Sequence, residues 1–132
     1  MTDKRKPKTD PADEGTFAYE GLDRVLHEKA RLGIVTALIN RPEGLLFGDL
    51  KHLCDLTDGN LSRHLQVLHG AELVEIWKAS GPGRPQTLVR VSDTGRESFR
   101  QYLEELSSVI RDAKKAQRRP VKSDPPPGFA PA

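Results

Sequence analysis

The chain has 132 residues, a net charge of +2 and a single cysteine. Its length allows one small domain with tails, its lone cysteine excludes an intrachain disulfide, and no stretch approaches the roughly 20 apolar residues of a membrane span. The small net charge neither requires nor excludes nucleic acid, because only the field at a binding face matters.

Residues 1–15 are polar, with Pro7, Pro11 and the cations Lys4, Arg5, Lys6 and Lys8, and are expected to be disordered. They contain no apolar run of a secretory signal, so the expected compartment is a reducing cytoplasm. Leu22, Val25 and Leu26 predict a first helix over 17–27. Ala30, Ile34, Val35, Leu38 and Ile39 predict a second over 29–40, ended by Pro42 and Gly44. A third, over 47–54, puts Phe47, Leu50 and Cys54 on one face, with Lys51 and His52 directed away. Arg31 is expected to pair with an acid elsewhere. Cys54 is expected to act as a small buried hydrophobe with an inert thiol.

Asp55 and Leu56 then turn the chain into a fourth helix. Thr57 is a good N-cap, and Asp58 suits the positive helix end. Leu61, Leu65 and Leu68 share one face. Gly59, Ser62, Arg63 and Gln66 fall opposite, with Asn60 on the flank. That outward face suits a major groove, where Arg pairs with guanine and Asn or Gln with adenine. His64 lies nearer the leucines and reads either as a boundary histidine or as a phosphate contact. Gly70 is expected to end the helix in a left-handed conformation. Apolar and polar residues then alternate over 73–77 and 87–91, predicting two antiparallel strands. Between them the tip Ser80-Gly81-Pro82-Gly83-Arg84-Pro85 is flexible and basic, and fits a minor groove or a pair of phosphates. Lys78 and Gln86 are candidate phosphate contacts at its base.

Ser92 caps a last helix running to about residue 115. Phe99, Tyr102, Leu103, Leu106, Val109 and Ile110 recur on it at alternating threes and fours, the spacing of a coiled-coil seam. So long a stripe would be an exposed patch on a small monomer, so these residues, with Leu22, are expected to form a homodimer interface. The alternative packs the stripe back on its own domain. In the tail, Lys114, Lys115, Arg118, Arg119 and Lys122 precede Pro125-Pro126-Pro127. They read equally as DNA attraction or as cations suited to a helix end.

Residues 22–100 resemble a winged helix-turn-helix regulator of the MarR/ArsR-like group of small bacterial DNA-binding proteins. The segments LDRVLHEKARLGIVTAL, LTDGNLSRHLQVLHGAELVEI and GPGRPQTLVRVSDTGRESF carry the likeness. It implies a mainly α fold with a small β-wing (α+β), occupying residues 16–116, with a long C-terminal dimerisation helix and tails at 1–15 and 117–132. It also implies a short strand at Leu45-Leu46 paired with the wing, and a wing-tip role for Arg84 in the minor groove. The function implied is a cytoplasmic, dimeric, DNA-binding transcription regulator, a repressor on an inverted-repeat operator. Expected partners are double-stranded DNA and a second copy. A small-molecule effector could sit between the helices of such a dimer, but no convergent polar set identifies one.

No metal site, cofactor or catalytic residue is assigned. The cysteine pairs or His/Asp clusters of metal-sensing relatives are absent, no phosphate-binding glycine loop opens a helix, and no nucleophile stands beside a base. The competing reading is a winged helix used only for protein contact, for which the acids Asp58, Glu72 and Glu75 near the DNA-facing side leave room.

Overall fold

The computed structural model describes residues 13–119 and 124–132. The charged N-terminal stretch through residue 12, and Lys122, lie outside them. The elements run α1 (Lys29–Ile39), β1 (Leu45–Leu46), α2 (Phe47–Cys54), α3 (Asp58–Gly70), β2 (Val74–Ala79), β3 (Gln86–Val91) and α4 (Asp93–Gln117). The strands form one antiparallel sheet in the order β1-β3-β2. The architecture is a winged helix with a long C-terminal helix, as the sequence implies.

The core is almost wholly aliphatic. Ile34, Val35 and Leu38 of α1, Leu50 of α2, and Leu61, Leu65 and Leu68 of α3 pack with Val74, Val89 and Val91 of the sheet. Burying these side chains is the main stabilising term, roughly 1.5–3 kcal/mol each before chain entropy is subtracted. The expected β1 strand is present: Leu45 pairs with Val89 and Leu46 with Leu88. Gly44, at φ +103°, makes that approach feasible, since a Cβ there would strike the Arg90 side chain and the Val89 carbonyl oxygen.

The helix expected over 17–27 is not formed. The segment is a series of turns. Asp23 accepts the Val25 and Leu26 N–H groups at 2.8 and 3.1 Å, which diverts them from a helical ladder, and Tyr19 has φ +48°. The segment lies along α4, where Tyr19 donates to Asp112 at 2.7 Å and Gly21 sits against Glu105. Leu26 nonetheless reaches the core. Among the described residues the first α-helix begins at Lys29, where the Glu28 carboxylate accepts the Ala30 and Arg31 N–H groups.

The left-handed residue after α3 is Glu72, at φ +63°, not Gly70, which stays helical. Its N–H reaches the His69 carbonyl, and the next, from Leu73, reaches Leu68. The buried Leu73 therefore sets the turn. Gly95, in the first turn of α4, has no room for a Cβ because the Leu73 carbonyl occupies that space.

The apolar stripe on α4 divides. Phe99 and Tyr102 are buried in their own domain, stacked at 6.2 Å, and Tyr102 shares a 2.7 Å hydrogen bond with His27 Nδ1. These two leave the expected dimer set, because the first turns of α4 close the core themselves. Leu106 and Leu22 are part-buried against that core, and Val109 is half-buried. Leu103 and Ile110 remain 43% and 46% exposed. Beyond α4, a turn at Pro126–Phe129 is closed through Gly128 at φ +95°.

Candidate nucleic-acid interface

The corner between α2 and α3 is set by Asp55, whose φ of +53° ends α2 in the left-handed region. Thr57 caps α3, accepting the Asn60 N–H at 3.2 Å. Lys51 bridges the corner with a 3.0 Å ion pair to Asp58. It is half-buried rather than directed away. These contacts seat the start of α3 against α2.

With its leucines buried, α3 turns Gly59, Ser62, Arg63 and Gln66 to solvent, as their spacing predicts. Asn60 is part-buried on the flank, and its side-chain oxygen accepts from Arg63 at 2.6 Å. In the free protein Asn60 therefore orients Arg63. His64 faces the other way. Its side chain is 16% exposed, with Nδ1 3.5 Å from Glu28 and 3.3 Å from Arg31. It therefore departs from the outward set, and the boundary alternative describes it. Arg31 does find an acid, Glu28, at 3.5 Å.

The wing places Lys78 opposite Thr87 and Ala79 opposite Gln86, then opens into the tip 80–85. Lys78, Ser80, Arg84 and Gln86 are all exposed, and Gly83 takes φ +115°. Arg84 and Gln86 border a hollow shared with Phe47, Gly48 and Asp49 at the start of α2. Among the described residues, no carboxylate pairs with Arg63, Lys78 or Arg84. Three cations thus remain available for phosphate or base.

Glu75 is tied up differently. It accepts from Arg90 at 2.8 Å and from the Trp77 indole at 3.2 Å, and the Arg90 guanidinium lies 5.3 Å from the Trp77 ring. The Arg90 and Trp77 hydrogen bonds hold its carboxyl below the usual range, which keeps one of the nearby acids neutralised by a partner. The pairing follows from the register, in which Glu75 faces Arg90. Alternation alone does not give that register from the sequence. Cys54 is part-buried and not fully enclosed as expected, and that burial pushes its thiol up, the direction of an inert side chain.

Residues 30–110 match the family model of the winged helix DNA-binding domain. An uncharacterized protein of Methanocaldococcus jannaschii is 36% identical over 78 residues, which span 59% of this chain and 85% of that protein. The solved structure of a transcriptional regulator homologue from Pyrococcus horikoshii OT3 superposes with a TM-score of 0.64. It has 34% identity and covers 69% of this chain and 89% of its own. A MarR family transcriptional regulator from Streptomyces coelicolor, solved in complex with DNA, shares the fold at 21% identity and a TM-score of 0.54, over 81% of this chain and 77% of its own.

Proposed function

The chain belongs to the winged helix DNA-binding domain family, and from that premise we propose a repressor that binds an inverted-repeat operator as a homodimer. One observation carries the reading: three buried leucines hold Ser62, Arg63 and Gln66 of α3 outward beside a wing tip bearing Arg84. In this reading α3 enters a major groove, with Arg63 and Gln66 at base edges and Ser62 and the Gly59 backbone near phosphates. Thr57 acts through its cap. Lys78, Ser80 and Gln86 flank phosphates while Arg84 enters the minor groove.

The dimer is built through Leu103 and Ile110 of α4, with Val109, Leu106 and Leu22 beside them. Two-fold symmetry then calls for half-sites about 10 base pairs apart. Residues 16–116 form the folded unit between two tails, and the protein works in the cytoplasm. A small-molecule effector between the protomers belongs to this reading only as an unassigned partner. The relatives described above as regulators carry a non-enzymatic role, and the same role is assigned here.

The test is enrichment of duplexes from a random library, followed by gel retardation over a range of salt. Salt-dependent retardation of an enriched palindrome supports the proposal. No retardation at micromolar protein in low salt removes it and favours the protein-contact module. Sedimentation giving a monomer at tens of micromolar removes the dimer alone.

A further inference from the structure

His64 is the one polar residue of α3 that turns toward the body of the domain while standing next to Arg63 in sequence. Two side chains from the start of α1 meet it. Arg31 donates its Nε–H to the Val25 carbonyl at 2.7 Å and points a second guanidinium nitrogen at His64 Nδ1, 3.3 Å away. Glu28 caps α1 with the same carboxylate whose Oε2 lies 3.5 Å from Arg31 and from His64. All three are at most one-third exposed. Desolvation pushes the Glu28 carboxyl up, but the Ala30 and Arg31 N–H groups, with His64 and Arg31, outweigh it and hold it below the usual range.

We propose that Glu28 and Arg31 are positioning residues for DNA reading, which fix the roll of α3 through His64 and so set where Arg63 points. The proposal rests on the DNA-binding reading above. The physical reason is geometric. Buried leucines hold α3 to the core and fix its roll coarsely by shape, but apolar packing supplies no directional bond to set the last few degrees. A hydrogen-bonded guanidinium with fixed fork geometry is directional, and Arg31 is itself anchored at Val25 and Glu28. A roll of a few degrees about the α3 axis moves the tip of the long Arg63 side chain by a large fraction of an ångström, enough to misalign a bidentate contact. Phosphate attraction tolerates such a shift. The clamp should therefore act on discrimination between sequences and leave general affinity alone.

The experiment uses the full chain and two duplexes, the palindrome enriched by wild type and a scrambled control. Arg31→Met is expected to reduce the ratio of the two affinities about tenfold, one pairwise coupling of ordinary size, with control affinity and salt slope unchanged. Glu28→Gln retains an oxygen for the α1 cap and is expected to lower the ratio in the same direction. His64→Leu should match Arg31→Met, and His64→Asn, whose Oδ1 falls near the place of Nδ1, should restore the ratio. Arg31→Met combined with His64→Leu should be no worse than either alone. Unchanged ratios in Arg31→Met and Glu28→Gln overturn the proposal while leaving the DNA-binding reading in place. So does a parallel loss on both duplexes with a lowered melting temperature, which marks the cluster as merely structural. A wild-type chain that retards neither duplex overturns both.

Discussion

The Arg63 guanidinium donates to the side-chain oxygen of Asn60 at 2.6 Å, three residues back along α3. The bond holds an exposed cation in one orientation without burying it. Arg63→Ala is expected to cost about 1–3 kcal/mol of preference for the enriched palindrome over a scrambled duplex. Asn60→Ala removes only the brace and is expected to cost roughly 0.5–1.5 kcal/mol. Dissociation constants on both duplexes measure this. Wild-type selectivity in both variants would move base reading away from this helix face.

Arg84 stands on the wing tip, away from the leucine-backed helix. Arg84→Ala is expected to weaken all duplexes alike and to lower the slope of log affinity against log salt by about one unit. A titration series between low and moderate salt reports the slope. Sequence-dependent losses would instead make Arg84 a reader of bases.

The division of the α4 stripe separates folding from association. Phe99→Ala removes a buried ring and is expected to cost about 3–5 kcal/mol of stability, seen in the melting temperature. Ile110→Lys or Leu103→Lys should leave the melting of the monomer unit close to wild type and shift sedimentation toward a monomer. A variant at Ile110 that stays dimeric would place the subunit contact elsewhere.

Two glycines give opposite outcomes. Gly95→Ala would drive a methyl into the Leu73 carbonyl, a backbone atom that cannot swing aside, and is expected to destabilise by about 1–3 kcal/mol. Gly33→Ala, on an open face of α1 with nothing near the added carbon, is expected to stabilise by roughly 0.5–1 kcal/mol. Chemical denaturation of the two variants side by side tests the close approach at Leu73.

Glu28 has a carboxyl pKa below its ordinary 4.5. A depressed pKa means that its contribution to stability is present above the unfolded value and lost as pH falls through the folded one. Wild type should therefore lose stability more steeply than Glu28→Gln as pH falls through and below the ordinary carboxylate range. Denaturation midpoints at several pH values give the comparison.

The sequence carries the segment from Leu56 to Val91 well except at the end of α3, where Glu72 and not Gly70 turns left-handed, because elsewhere the local signals agree. Thr57 caps, three leucines recur at helical spacing, and the tip is rich in glycine and proline. It misleads where one pattern serves two environments. Leu22, Val25 and Leu26 fit a helical period equally well in a turn, and the side chain of Asp23 decides between them. Phe99 and Ile110 fit one seam by spacing, yet only the first is buried in the core of its own domain. Periodicity fixes which residues face together and is silent on what they face. The same limit hides His64: its angle on the helix is legible, but Glu28 and Arg31 arrive from a distant part of the chain.

The left-handed Asp55 and the Lys51–Asp58 bridge have a thermodynamic corollary. A corner already locked in the unbound molecule has surrendered its freedom during folding, so α2 and α3 can approach a duplex as one stiff body. Calorimetry of complex formation should then show the modest heat-capacity change of docked surfaces, without the larger one of a helix ordering on contact.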